Sequence, residues 1–335
     1  MSSSIINIGL IGLGRIGKMH AINLHKNLPM FNLRRIVDLA PDLNFISGLD
    51  KTHHSTDVDD IILDNTIDAV VVCSPTPTHY DIIKKCAANN KHVFCEKPIS
   101  FYENEIQEIM QIMNDQKIFI QVGLNRRFDQ DFVLAKEKVD AGMVGDIQTI
   151  HITNHDASIP SFKFLKSSGG MLFDLCIHDF DMLNFITGSQ IKEIYVNGDV
   201  FIEPKLKDVG DIDNVLITIE LESGVLCSID SSRQTHYGYD QRIEIFGSKG
   251  LLAVENKSDS LYHFSDDKNT KTSKIKYSFI ERYKESYVTE LEYFYKCIIS
   301  DTKPIVGPEN ILSAIKVASA GVESLNNNVP QRVKK

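Results

Sequence analysis

Ile5-Ile6-Asn7-Ile8-Gly9-Leu10-Ile11-Gly12-Leu13-Gly14-Arg15-Ile16-Gly17 is an apolar run that leads straight into three glycines in a Gly-x-Gly-x-x-Gly pattern. Apolar residues then recur at helical spacing from Ile16 to Leu28, so the stretch reads as strand, tight turn and helix. In that setting Gly12 makes the turn, Gly14 lets backbone approach a pyrophosphate, and Gly17 lets helix and strand pack closely. The phosphates would rest on backbone N–H groups at the start of the helix, around Arg15 and Ile16. Glycines alone also mark ordinary turns, so the neighbouring sequence has to decide.

It does so at the next strand. Asn32–Asp38 ends in an acid about twenty residues beyond the glycines, where a carboxylate can accept hydrogen bonds from ribose hydroxyls. Leu39 and Ala40 follow, in place of the Arg, Ser or Lys that would meet a 2′-phosphate, so the expected cofactor is NAD. Arg34 and Arg35 read as edge charges.

Working outward, Ile5–Ile11, Ala69–Cys73, His92–Cys95 and Phe119–Gly123 read as further strands. Val58–Leu63, His79–Ala88 and Glu103–Asn114 read as the helices between them. Alternation of helices with nearly all-apolar strands predicts an α/β doubly wound parallel sheet, a Rossmann domain, over residues 1–123. The pattern then changes. Ile147–Thr153, Ile191–Val200, Val215–Leu221, Val225–Asp230, Arg242–Phe246 and Leu251–Val254 follow one another, several across short turns such as Ser223-Gly224. With one helix over Gly170–Thr187, they predict a second α+β domain over residues 124–335, built on a largely antiparallel sheet. Ser265–Lys274 reads as an exposed loop or hairpin tip. Lys284–Ile299 and Ile311–Leu325 read as closing helices that can pack back on the first domain.

Bulk properties narrow the function classes. The 335 residues suffice for two cored domains, and 42% hydrophobic with 24% charged residues is ordinary for a globular chain. A net charge of −9 argues against nucleic acid or an anionic membrane as partner. Six scattered cysteines form no Cys-x-x-Cys pair, which fits a reducing, cytoplasmic compartment and no structural metal. The first apolar run is too short to span a bilayer and lacks the basic leader of a signal peptide.

Candidate chemistry lies at the expected carboxyl ends of strands, where such sheets bind ligands. Ser74-Pro75-Thr76-Pro77-Thr78-His79 is an extended loop that either lines a cofactor channel or only caps the next helix. Cys95-Glu96-Lys97-Pro98 holds Lys97 in a turn or extended conformation, because Pro98 disfavours helix before it; an X-Pro bond there can also be cis. Asp174 and His178 sit four apart in an apolar stretch, a spacing that puts both on one helix face. Such a pair is either a core hydrogen bond or a base with its orienting carboxylate.

At this point the chain resembles the glucose–fructose oxidoreductase, inositol dehydrogenase and MocA family. The resemblance rests on the N-terminal glycines, Ser74-Pro75-Thr76, Glu96-Lys97-Pro98, Gly123-Leu124-Asn125-Arg126-Arg127-Phe128, and Asp174 with His178. Lys166-Ser167-Ser168-Gly169-Gly170, Ile177-His178-Asp179-Phe180-Asp181-Met182 and Tyr237-Gly238-Tyr239-Asp240-Gln241-Arg242 look most like the inositol 2-dehydrogenases within it. It implies an NAD-dependent dehydrogenase in which His178 takes a ring-hydroxyl proton, Asp174 orients His178, and Lys97 steadies the reacting oxygen. It also implies cofactor contacts from Gly12, Gly14, Arg15, Ile16, Gly17, Asp38, Ser74, Pro75, Thr76, His79, Glu96 and Lys97. For a small polyol such as inositol it points to Lys97, Arg127, His155, Asp156, Asp174, His178 and Tyr239, with Lys166 and Tyr283 as weaker candidates. A homotetramer built through the second-domain sheet is the family precedent.

Asn154-His155-Asp156 departs from the Arg-Asp-Pro pattern of many inositol enzymes, which leaves the isomer open. Three other functions compete. A hydrolytic metal site has no His-x-x-x-His pattern to support it. A nucleotide-binding sensor would not need Lys97, Asp174 and His178 together. Another sugar dehydrogenase of the same family is the nearest alternative.

Overall fold

The computed structural model describes residues 5–334. It divides into two compact units, Met1–Phe128 with Glu285–Leu312, and Asp129–Lys284 with Ser313–Lys335. The first unit thus runs past Gly123 to Phe128 and takes back a later segment of chain.

In the first unit six parallel strands lie in the order β3-β2-β1-β4-β5-β6. They are β1 (Ile6–Ile11), β2 (Phe31–Val37), β3 (His53–Ser55), β4 (Ala69–Val72), β5 (His92–Cys95) and β6 (Ile120–Val122). All four residues of β4 are buried, as expected for a strand covered on both faces. The order reverses between β1 and β4, so the glycine turn and the Ser74 loop leave the sheet at its switch point. Strand β3 was not anticipated, since its polar sequence His53-His54-Ser55 carries no apolar signal. The helix expected to reach Leu28 is α-helical only over Arg15–Ile22, and Asn23–Asn27 winds as a wider π turn. Ile8, Leu10, Val71 and Phe94 share a core with Leu291 and Phe294 of the helix Lys284–Ser300.

The second unit is built on seven strands in the order β12-β11-β7-β10-β9-β8-β15. These are β7 (Ile147–His155), β8 (Ile191–Asp199), β9 (Asn214–Leu221), β10 (Leu226–Ser232), β11 (Asp240–Gly247), β12 (Gly250–Val254) and the short β15 (Gln331–Arg332). Neighbours are antiparallel except β7 and β10, which run parallel. Val215, Ile217, Ile219 and Leu221 are buried on one face of β9, while Leu216 is 64% exposed on the other. The region around Ser265–Lys274 is an exposed hairpin of β13 (His263–Ser265) and β14 (Thr270–Thr272). Helix Gln130–Asp140, capped by Asp129, was not anticipated.

One correction bears on the site. The single helix expected over Gly170–Thr187 is two, Met171–Asp174 and Ile177–Thr187. Both Leu175 and Cys176 N–H groups reach Met171 O, at 2.9 and 3.1 Å, so the chain widens by one residue there. Leu175 and Cys176 keep right-handed helical dihedrals, so Asp174 and His178 lie on successive turns across this widening.

Candidate active site

The glycine turn has the shape of a dinucleotide cradle. Gly12 has φ +95°, and an added Cβ would lie 2.5 Å from Ser74 N. A Cβ on Gly17 would lie 1.9 Å from Gly12 O, whereas one on Gly14 meets nothing within 4 Å. Gly12 and Gly17 therefore let the turn close, and Gly14 presents bare backbone to open space. No side chain caps the helix Arg15–Ile22, which leaves its N-terminal end suited to an anion. Asp38 follows β2 and accepts from Leu13 N–H at 2.6 Å and Ala40 N–H at 2.8 Å. A carboxylate has lone pairs left for a ribose hydroxyl after two such bonds. The residues present fit NAD.

The loops after β4 and β5 are fastened to each other. His79 is buried, and its ring nitrogens lie 2.7 Å from Ser74 O and 2.9 Å from Pro98 O. Burial lowers its pKa, while the two carbonyl oxygens, one facing each ring nitrogen, oppose that shift. His79 thereby ties the Ser74-Pro75-Thr76 loop to the Lys97–Pro98 bond, which is cis. Ser74 Oγ also meets Thr78 Oγ1 at 2.6 Å.

Behind Lys97, Glu96 Oε1 meets His20 Nε2 at 2.8 Å. His20 is wholly buried, edge-on to Phe94 and Tyr287. Glu290 completes a cluster whose three ligand-type atoms lie within 4.8 Å of one another. Glu290 is also wholly buried, and neither of its carboxylate oxygens has a hydrogen-bond partner. Burial pushes its carboxyl well above the usual range, with the charge of Glu96 as the second cause.

In the second unit, Asp174 ends one short helix and His178 stands in the first turn of the next. The Arg233 guanidinium, 0% exposed, bridges Asp174 Oδ2 at 3.3 Å and Asp211 Oδ2 at 2.9 Å. Burial opposes its charge, but Asp174, Asp211 and Asp156 outweigh that and hold its pKa above the ordinary value. Asp211 Oδ1 accepts from Met171 N–H at 2.8 Å, which caps the helix carrying Asp174. A second buried set holds the following helix. Asn154 of β7 donates to Asp179 Oδ2 at 2.5 Å and to Leu175 O at 3.4 Å, while Gln241 donates to Asn154.

The remaining expected residues separate. His155, at the end of β7, pairs with Asp230 at 3.2 Å and approaches the Tyr237 hydroxyl at 3.4 Å. Asp156 follows it, with its N–H bonded to Ser232 O. Tyr239 is only 5% exposed and packs edge-on against Phe279 and Tyr283. Tyr237 is the exposed tyrosine of the pair, at 56%. Partial burial, then the hydrogen bond to Asp240, push the Tyr237 hydroxyl up to about 12. Arg127 lies in a 3-10 turn of the first unit, and Lys166 is exposed at the end of the short helix Phe162–Leu165.

Sequence reading missed Arg233, Asp211, Asn154, Glu290 and His20. The available signal was polarity in apolar surroundings: Asp179 and Asp181 interrupt an apolar helix, and Glu290 stands one position before core residue Leu291. Their partners come from distant strands, which local pattern does not reveal.

Two family matches cover most of the chain. Residues 6–124 match the oxidoreductase family with an NAD-binding Rossmann fold. Residues 132–253 match the GFO/IDH/MocA C-terminal domain. The chain is 37% identical over 324 residues to a myo-inositol 2-dehydrogenase from Thermotoga maritima, covering 96% of each. Among solved structures, a probable dehydrogenase from Thermotoga maritima superimposes with TM-score 0.94 at 36% identity, covering 98% of this chain and 99% of that one. A scyllo-inositol dehydrogenase from Lactobacillus casei, with bound NAD(H) and scyllo-inositol, gives TM-score 0.92 at 28% identity over 98% of this chain and 99% of that one. Glycine turn, acid-ended second strand and mixed second sheet thus belong together, and the chain is a member of the Gfo/Idh/MocA family of NAD-dependent oxidoreductases.

Proposed function

We propose that the protein oxidises a ring hydroxyl of myo-inositol, or of a close isomer, to the 2-keto form. The observation that carries this reading is Asp174, fixed by a buried guanidinium, one widened turn before His178. A carboxylate held in place there orients the imidazole and stabilises its charged form. His178 accepts the hydroxyl proton as the carbon gives up its hydride. Lys97 donates to the reacting oxygen and lowers the cost of its developing charge. NAD, when bound, supplies the hydride acceptor. Arg127, His155, Asp156 and Tyr239 are assigned to the polyol hydroxyls, and Tyr237 joins them because it is exposed and lies beside His155.

Relatives are named for myo-inositol at 37% identity and for scyllo-inositol at 31%, which supports an inositol and leaves its isomer to experiment. The pairing of His155 with Asp230 and Tyr237, where many inositol enzymes carry Arg-Asp-Pro, favours another polyol as the second reading. A panel of inositols, aldoses and anhydro sugars, assayed by NADH formation, tests both. Activity highest on an inositol supports the first reading, and activity confined to aldoses replaces it with the second. Silence on the whole panel removes both and returns the protein to a sensor role.

We further assign the exposed face of the second sheet to a homotetramer. Leu226, Phe246 and Leu251 stand in one row across it, each well exposed. Sedimentation of a Phe246→Glu variant as smaller species would support that assignment.

A further inference from the structure

Arg233 is, with Arg282, one of the two largest fully buried side chains among the described residues, and a charge so placed needs an account. It faces two carboxylates, of which Asp211 also caps Met171 N–H. The other is Asp174, which is 15% exposed and belongs to the site. The guanidinium is also held from behind, since its Nε donates to Ile212 O at 3.3 Å. A planar fork held at three points cannot follow a moving partner, so it dictates where the Asp174 oxygen lies.

We propose that Arg233 is a positioning residue for the reaction. Anchored by Asp211, it fixes the Asp174 carboxylate and offsets part of the negative potential that carboxylate casts on His178. This rests on the reading of His178 as the base.

The charges around the pair are mostly negative. Asp179 and Asp181 share the His178 helix, Asp211 meets Arg233 from the loop before β9, and Asp156 acts on Arg233 from just after β7. Among these groups Arg233 is the positive charge in contact with Asp174. Without it, His178 would hold its proton to higher pH and would be a poorer acceptor at neutrality. With it, Asp174 still orients the ring, while less of its negative potential reaches the imidazole.

Two variants shift the balance in opposite directions. Arg233→Gln removes the positive charge, so the His178 pKa should rise, by about one unit. Asp211→Asn keeps an acceptor for Met171 N–H but frees Arg233 to act on Asp174 alone, so the His178 pKa should fall, by about half a unit. Arg233→Lys keeps the charge but cannot bridge both carboxylates. It should leave the pKa near its native value while kcat/KM drops about 10–100-fold through misplacement of Asp174.

The experiment titrates His178 by NMR in the full-length, cofactor-free protein with ring-labelled histidine. The resonance is assigned by its loss in His178→Ala. The acid limb of kcat/KM with NAD and myo-inositol is followed in parallel. Opposite shifts in the Gln and Asn variants, matched by the acid limb, are the expected result. Unchanged titration, or shifts in the same direction, would overturn the role of Arg233. Should Arg233→Gln fail to fold, the Asp211→Asn and Arg233→Lys pair decides alone: a lowered pKa in the first and a native one in the second sustain the proposal, and any other combination ends it. Near-native turnover of His178→Ala would instead end the reading of His178 as base, and the titration shifts would still report the local charge.

Discussion

Leu13 N–H donates to Asp38 Oδ2 at 2.6 Å, so one carboxylate ties the glycine turn to the end of the second strand. Asp38 therefore shapes the cradle in addition to the ribose contact proposed for it. Asp38→Ala should raise the NAD dissociation constant about 10–100-fold, as expected for losing about 1.5–3 kcal/mol of charged hydrogen bonding. Asp38→Ser with Leu39→Arg, which puts a cation at an 89% exposed position, should raise NADP affinity relative to NAD. Fluorescence titration with both cofactors checks this, and an unchanged NAD/NADP ratio would contradict the assignment of Asp38.

Gly17 admits no side chain at all. A Cβ there would sit 1.9 Å from Gly12 O, against backbone that cannot rotate away. Gly17→Ala should open the turn, cost about 1–3 kcal/mol of stability and abolish measurable NAD binding. Gly14→Ala, which meets nothing within 4 Å, should leave folding intact and weaken only the cofactor. Thermal melts with and without NAD separate the two effects.

His178→Ala should lower kcat/KM by about 10²–10⁴-fold, the usual contribution of a positioned base. NAD binding should stay within about twofold, because the glycine turn and Asp38 that the first unit offers the cofactor do not include His178. Lys97→Met should also depress kcat, since a removed oxyanion donor typically costs about 10²–10³-fold. Steady-state kinetics paired with calorimetric NAD titration distinguish loss of chemistry from loss of cofactor.

Glu290 makes a prediction about stability and pH. Its pKa in the folded protein is raised by burial, so the folded state keeps a proton that the unfolded chain releases near pH 4.3. That contribution is complete below the unfolded value and is lost as pH rises toward the folded one. Glu290→Gln, neutral at every pH, should melt higher than the native protein at pH 8, with the gap closing toward pH 4. Each kcal/mol would appear as about 2–4 °C. A melting temperature lowered equally at both pH values would show that Glu290 is needed as an acid.

Asn154→Ala leaves Asp179 without one of its buried donors and frees Leu175 O at the widened turn. A loss of about 1–3 kcal/mol is expected. Circular dichroism melts would register it, and a native melting curve would show that the network is dispensable.

Much of this was legible from sequence where the determinants are local. Gly12 and Gly17 announce a turn because only glycine tolerates their contacts, Gly14 leaves the backbone bare between them, and Asp38 lies at a fixed distance set by one helix and one strand. Strands β4 and β5 are legible for the same reason, as short runs buried on both faces. The Asp174–His178 spacing was readable, but the widening at Leu175 and Cys176 was not. It depends on Asn154 bonding Leu175 O and on Asp211 holding Met171 N–H, both from remote strands and loops. Tyr239 was named through the family resemblance, and the edge-on contacts of Phe279 and Tyr283 that surround it come from sequence about forty residues away, which local pattern does not reveal.

The parallel pairing of β7 with β10 has a consequence for how the chain assembles. Antiparallel neighbours such as β11 and β12 can zip from a short turn, but β7 and β10 are joined only after the whole intervening segment has crossed over. That segment contains Asp174, His178 and Asp211, and β10 leads directly into Arg233. Closing this long-range pair carries a far larger loop entropy than hairpins such as β9–β10 and β11–β12, so it should be a late and slow step of folding. The step that completes the sheet also brings Arg233 to Asp174, and catalytic competence should therefore emerge on the slow phase of refolding.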